Sequence, residues 1–185
     1  MEIKITTTQI LKALQVLSWI IFIGLCIQAG GLIVNSAITL FINPSGVKNF
    51  WEGSDYLSSV YTFDHGQFMV MAIIMCIVAT MKAIMFYLIV KLFTDKNLKI
   101  AQPFSPELSR FMIKQSYFAL VIGGFSLAGL KYSLWLTLQG TKPADLQALN
   151  LGGADVWIFM AVILFLIVQL VKKGIEIQNE NDLTV

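Results

Sequence analysis

Four long apolar stretches constrain the fold of this chain more than any other feature of its sequence. A hydrocarbon core about 30 Å thick requires about 20 largely apolar residues in a helix that rises about 1.5 Å per residue. The stretches that meet this requirement span about residues 13–42, 68–90, 111–138 and 156–171. Hydrophobic residues make up 57% of the chain, which is too large a share for a soluble domain. The sequence therefore predicts an all-α fold, an integral membrane four-helix bundle that forms one domain over residues 1–185.

Basic residues between these stretches lie almost wholly on one side of the predicted membrane. That side carries Lys4, Lys12, Lys91, Lys96, Lys99, Arg110, Lys114, Lys172 and Lys173, whereas the opposite side carries Lys48 and Lys142. Because basic residues close to a span are retained on the cytoplasmic side, we expect both termini in the cytoplasm. Residues 43–67 then form an outer loop, residues 91–110 a cytoplasmic loop, and residues 172–185 a cytoplasmic tail.

Sequence motifs for enzymatic chemistry are absent from the chain, which contains no P-loop, dinucleotide-binding, hydrolase, kinase or metalloprotease signature. Cys26 and Cys76 lie inside apolar stretches without metal-ligand spacing, and His65 is the only histidine. We therefore expect a non-enzymatic protein with no cofactor and no metal site. The formal net charge of +2 reflects the membrane topology and gives no reason to expect direct nucleic-acid binding.

Four polar residues lie within the predicted spans. They are Gln28 and Asn35 in the first span, Lys82 in the second and Lys131 in the third. An ionisable residue at membrane depth is a functional candidate, and the spans contain no acidic residue to pair with either lysine. Lys131 is expected to extend toward the acidic residues of the outer loops. For Lys82, snorkelling is about as well supported as the alternative, a polar cavity between the second and third spans, and that cavity stays open as an alternative for Lys131 too.

Small residues recur four apart in the third span, at Ala119 and Gly123 and again at Gly124 and Ala128. Such spacing lets two helices approach closely. We expect these residues to serve packing within the bundle rather than a dedicated dimer interface, although a homo-oligomer stays possible.

The outer loop contains apolar and aromatic residues, from Phe50 to Phe63, at the spacing of a short amphipathic segment. Such a segment either anchors in the headgroup region of the membrane or covers an outward-facing ligand pocket. On the opposite side, Ser105 is a favourable N-cap, Pro106 suits the first helical position, and Glu107 complements the helix dipole. The third span is therefore predicted to begin as a helix at about Pro106.

Two segments of the sequence resemble a known family. They are ProPheSerProGlu at residues 103–107, followed by a basic helix start, and LysGlyIleGluIleGlnAsnGluAsnAspLeuThrVal from Lys173. Together they resemble a widespread bacterial family of small four-span membrane proteins, designated a domain of unknown function, and the likeness extends to the whole layout. Ile177 stands where that pattern has leucine. The family has no catalytic residues to carry over.

The resemblance implies a location in the bacterial cytoplasmic membrane, with the lipid bilayer as surroundings. Members of the family are often encoded beside a small Xre/Cro-type helix-turn-helix regulator, which implies a cytoplasmic transcription regulator as partner. We therefore expect the chain to dock or sequester such a regulator through its cytoplasmic loop and tail. The candidate partner-binding residues are Lys96, Lys99, Pro103, Phe104, Ser105, Glu107, Arg110, Glu176, Glu180, Asn181, Asp182 and Leu183. The alternative is a small transporter, exporter subunit or immunity-type protein with a polar cavity lined by Gln28, Asn35, Lys82 and Lys131.

Overall fold

The structure, a computed structural model, describes residues 7–94 and 105–182, with side chains over residues 9–94 and 105–180. These ranges contain helices and no strand. The helices are α1 (Thr7–Phe41), a short 3-10 helix (Pro44–Asn49), α2 (Ser54–Phe63), α3 (His65–Thr94), α4 (Pro106–Leu138) and α5 (Ala154–Asp182). All of the α-helices except α2 are long and apolar enough to cross a membrane. The predicted all-α class with four long apolar helices is confirmed, whereas the cytoplasmic placement of both termini stays a prediction.

Side-chain caps explain where several helices begin. The Ser105 hydroxyl accepts a hydrogen bond of 3.2 Å from the Leu108 N–H, so α4 begins at Pro106 as predicted. The Asn43 side chain accepts one of 2.9 Å from the Ser45 N–H at the start of the 3-10 helix. Asp64 separates α2 from α3 in an extended conformation, and its carboxylate accepts from the Gln67 N–H at 2.8 Å. Each of these side chains satisfies a backbone donor that the helix itself leaves unpaired.

The four long helices form an open layer in the order α1, α3, α4, α5. Among the described residues, the extensive contacts between long helices join α1 to α3, α3 to α4, and α4 to α5. Two hydrogen bonds fix the antiparallel register: Gln115 Nε2 donates to the Met85 carbonyl at 3.1 Å, and Ser116 Oγ donates to the Ala161 carbonyl at 2.8 Å.

Helix α1 is antiparallel to α3, because Phe22 contacts Tyr87 and Ser36 contacts Cys76. The start of α1 and the end of α5 therefore lie at one end of the layer, named here the terminal end. The opposite end, with α2, is the loop end.

The small residues of α4 fall on two different surfaces. Ala119 is fully buried, and a side chain at Gly123 would place its Cβ atom 2.6 Å from Cγ1 of Ile158 on α5. A Cβ atom at Gly124 would meet nothing within 4 Å, and Ala128 is exposed. The first pair therefore brings α4 and α5 together, in line with packing within the chain, whereas the second pair lies on the outer surface.

Helix α2 is the amphipathic segment that its residue spacing predicts. Tyr56, Leu57 and Val60 are buried on one of its faces, which packs against α3 and the 3-10 helix, while Phe63 is exposed. Burial, with a smaller contribution from the neighbouring Tyr132, raises the pKa of Tyr56 to about 12. The raised pKa means that the phenolate is disfavoured still further than in water, which accords with the position of Tyr56 inside the packed face.

The segment that joins α4 to α5, residues 139–153, folds down against the helices from the loop end. Leu149 and Leu151 are fully buried. A side chain at Gly129 on α4 would place its Cβ atom 2.7 Å from Cδ1 of Leu151. Because α4 ends at Leu138, this contact lies about 13 Å down the helix at 1.5 Å per residue. Irregular backbone at such a depth is tolerated in a membrane where protein surrounds it.

Candidate functional site

A pocket of about 340 Å³ opens between α1 and the segments that fold over the loop end. Its α1 wall includes Gly24, Gln28, Gly31 and Asn35. The opposite wall consists of residues 49–52, which start at the last residue of the 3-10 helix, together with Ala148 and Asn150 from the α4–α5 segment. We name this space the α1 pocket.

The residues of the α1 wall share one helical face. Gly24, Gln28, Gly31 and Asn35 are separated by four, three and four residues, which is the repeat of a single helix surface. A Cβ atom at Gly24 or at Gly31 would meet nothing within 4 Å, so these glycines leave open volume rather than a close helix contact. Asn35 Nδ2 donates to the Asn49 carbonyl at 3.0 Å and ties the two walls together.

The polar groups of the α1 pocket suit noncovalent recognition. Gln28 and Asn35 supply amides, and Glu52 supplies a carboxylate. Phe50 and Trp51 precede Glu52 in the sequence, and the described residues that line the pocket include no lysine, arginine or histidine. Across the described ranges, no group of three or more histidine, cysteine, aspartate or glutamate side chains is arranged to hold a metal ion.

Lys82 meets its partners at the segment that forms one wall of the α1 pocket. Its ammonium donates to the Asn150 carbonyl at 2.9 Å and lies 5.6 Å from the centre of the Trp157 ring. Asn150 lines the pocket, whereas Lys82 does not. The backbone of Asn150 has a φ of 58°, a left-handed conformation that asparagine tolerates better than most residues. Lys82 thus satisfies its charge with a carbonyl and an aromatic face, and it holds the pocket wall from outside.

Lys131 lies apart from this arrangement. It is exposed on α4, and within the described part of the chain no ion pair joins it to Asp64 or Asp155. The structure therefore brings Gln28 and Asn35 into one pocket and connects Lys82 to it through Asn150, but it does not bring Lys131 there.

Replacing Lys82 with methionine is expected to loosen the pocket wall, because the Asn150 carbonyl loses its charged donor. A hydrogen bond to a charged group contributes about 1.5–3 kcal/mol, so a cysteine at Ala148 should react about tenfold faster with a water-soluble maleimide. Both native cysteines are replaced first. Lys131→Met, which also removes one membrane lysine, should leave the labelling rate unchanged. Equal rates in both variants would show that the Lys82 contact does not hold the segment.

Sequence reasoning identified Gln28, Asn35 and Lys82 but missed Gly24, Gly31 and Glu52. A sequence signal for the two glycines exists, because Gly24 and Gly31 lie seven residues apart on the helical face that carries Gln28 and Asn35. Glu52 carries no such signal, because its position depends on how residues 49–52 fold back onto α1.

The predicted partner-binding residues lie at the terminal end where the structure describes them. Ser105, Glu107 and Arg110 form the start of α4, and Glu176 and Glu180 are exposed on the last turns of α5. Asn181 and Asp182 end that helix. The remaining predicted residues lie outside the described ranges; they are Lys96, Lys99, Pro103, Phe104 and Leu183.

Comparison with known proteins identifies a family. A family model, DUF2975, described as a protein of unknown function, matches residues 51–185. The matched region begins just before α2 and contains α3, α4 and α5, whereas α1 and the 3-10 helix precede it. No curated protein and no solved structure matched the chain.

Proposed function

The chain belongs to the DUF2975 family, and from that premise we propose that it is a non-enzymatic membrane protein that sequesters a cytoplasmic helix-turn-helix transcription regulator. The observation that carries the proposal is the length of α5, which continues as an unbroken helix to Asp182, past the end of α3 and the start of α4. The basic residues around the terminal end support its placement in the cytoplasm.

The register between the helices gives the length of this projection. Gln115 on α4 is hydrogen-bonded to Met85 on α3. Pro106 lies nine residues before Gln115, and Thr94 lies nine residues after Met85, so α3 ends level with the start of α4. Ser116 on α4 is likewise hydrogen-bonded to Ala161 on α5. Pro106 lies ten residues before Ser116, and Val171 lies ten residues after Ala161, so Val171 is level with the start of α4. Beyond Val171, α5 extends to Asp182, about 16 Å further at 1.5 Å per residue.

The projecting part of α5 begins with two basic residues, Lys172 and Lys173, and its last turns carry the acidic residues Glu176, Glu180 and Asp182. Glu176 and Glu180 are exposed and lie one turn apart on the same face, and the Lys173 ammonium lies 3.9 Å from the Glu176 carboxylate. Ile177, an apolar side chain on the same projection, is 50% exposed. An isolated helix shorter than about 12 residues is marginal in water, so continuity with the membrane-spanning part of α5 explains why this segment is helical.

Charge complementarity supports a DNA-binding partner. Surfaces that bind DNA are basic because they neutralise phosphates, and an acidic helix can occupy such a surface. A regulator held in this way would be kept from its operator. The resemblance of residues 103–107 and of the tail after Lys173 to a family encoded beside helix-turn-helix regulators supports the same class of partner.

The decisive experiment neutralises the acidic residues in the last turns of α5. Full-length protein is purified in mild detergent from its native host, together with Glu176→Gln/Glu180→Gln/Asp182→Asn, and the bound proteins are identified by mass spectrometry. The wild type should recover a helix-turn-helix protein, and the neutral variant should recover at least about tenfold less. Added salt should weaken the capture, because salt screens exposed charges.

The matched control is Gln178→Ala/Asn179→Ala, which changes the same turns of α5 without changing their charge. It should recover the regulator as the wild type does. Equal capture by the neutral variant would refute the acidic residues of α5 as the docking surface. Recovery of no helix-turn-helix protein by any version would refute the proposed function.

A further inference from the structure

The α1 pocket is separate from the terminal end and has no part in the proposed docking. We propose that it binds an amphiphile that has an aliphatic chain and a head group with an ammonium. Its volume of about 340 Å³ lies within the range of about 300–1,000 Å³ that is usual for small-molecule sites.

The pocket changes from apolar to polar along α1. Gly24 and Ile27 form its deeper part, and Asn35, with the Asn49 carbonyl, lies toward the loop end. Asn35 lies eleven residues beyond Gly24, which corresponds to about 16 Å along the helix. Because α1 is a candidate membrane span, the apolar part lies toward the hydrocarbon and the polar part toward the membrane surface. An amphiphile in a bilayer is oriented in the same way.

The polar part favours a head group with an ammonium. Glu52 is the charged residue of the lining, and Phe50 and Trp51 precede it directly. The Glu52 carboxylate attracts an ammonium group by charge, and the Trp51 ring is available for a cation–π contact, whereas the Phe50 ring is 4% exposed and packs edge-on against Phe68. A phosphate without a compensating cation would face the Glu52 carboxylate with no lysine or arginine in the lining. Trp51 is 95% exposed, so its ring is accessible to an arriving ligand.

The pocket is also open to entry from the membrane. Gly24 and Gly31 are exposed, and neither position has an atom within 4 Å of where a Cβ would stand. Helix α1 packs extensively against α3 and the 3-10 helix and lies at the edge of the helix layer. A ligand dissolved in the bilayer can therefore reach the pocket laterally, without crossing the packed centre of the protein.

The test counts the lipids that stay bound to the full chain. In the first sample, the protein is placed in nanodiscs that contain equal amounts of phosphatidylethanolamine and phosphatidylglycerol. In the second sample, the nanodiscs contain phosphatidylglycerol alone, and dodecylamine is added. The protein is released from each, and native mass spectrometry measures the mass of the molecules that stay bound. Retention of one phosphatidylethanolamine identifies a lipid head group as the ligand, whereas retention of dodecylamine alone identifies a free amphiphile. Preferential retention of phosphatidylglycerol, or retention of neither ammonium compound, would overturn the proposal.

Two adjacent glycines supply a matched pair of variants. Gly31→Leu fills the pocket, whereas Gly30→Leu adds the same bulk at a neighbouring position that does not line it and is equally open. Gly31→Leu should reduce retention of the ammonium compound about tenfold, and Gly30→Leu should leave it unchanged. Glu52→Gln, at an exposed position, should remove the preference for ammonium and provides the test even if Gly31→Leu fails to fold. Unchanged retention in both Gly31→Leu and Glu52→Gln would refute the site.

Discussion

Replacing Gly123 with leucine is expected to force α5 away from α4 and to lower the thermal unfolding midpoint by about 10 °C. The added Cβ atom alone would lie 2.6 Å from Cγ1 of Ile158, 3.1 Å from its backbone nitrogen and 3.2 Å from the Ala154 carbonyl oxygen. A side chain can change rotamer, but the helix backbone cannot yield without separating the two helices. The midpoint is measured on purified protein in detergent by near-ultraviolet circular dichroism.

Gly124 is the control for this variant, because it neighbours Gly123 on α4 and faces outward. Leucine at Gly124 would meet nothing within 4 Å of its Cβ atom, so the unfolding midpoint should stay at the wild-type value. If Gly123→Leu and Gly124→Leu unfold at the same temperature, the close approach of α4 and α5 at Gly123 is refuted.

Replacing Leu151 with alanine is expected to lower the free energy of unfolding by about 2–5 kcal/mol, the usual cost of a leucine-sized cavity. Leu151 is 1% exposed and fits against Gly129, where its Cδ1 atom occupies the space that a larger residue would need. Its loss should also release the adjacent wall of the α1 pocket. The measurement is reversible unfolding in mixed detergent micelles.

Leu138→Ala is the matched control for the Leu151 variant. Leu138 ends α4 and is 85% exposed, so the same truncation removes little packing and should change the free energy of unfolding by less than about 0.5 kcal/mol. A similar small loss in Leu151→Ala would mean that the α4–α5 segment does not pack at this depth.

Apolar run length and capping chemistry made most of the helices predictable. The four runs require helices because a bilayer offers no partner for free backbone groups. Ser105 and Pro106 place the start of α4 to the residue, since a capping hydroxyl and a proline act within one turn. The residue spacing of Tyr56, Leu57 and Val60 likewise indicates the buried face of α2.

The α1 pocket was less predictable because its walls come from distant parts of the chain. Asn35 meets Asn49, and Lys82 meets Asn150, 68 residues further on. Helices that are apolar on nearly every face do not specify which face packs, so the sequence leaves such pairings open. The helical continuation of α5 was open for a different reason: a polar tail such as residues 174–182 becomes helical only because the membrane part of α5 precedes it.

The position of α1 at the edge of the layer has a consequence for how the protein is made. Its neighbour among the long helices is α3, which begins at His65, after the 3-10 helix and α2 have been synthesised. Helix α1 is therefore synthesised before α3, and until α3 is made the α1 surface that packs against it must be stable in contact with lipid. The later helices, α3 to α5, contact one another in the order of their synthesis. The contact between α1 and α3 is therefore expected to form only after α3 has been made, later than the insertion of α1 itself.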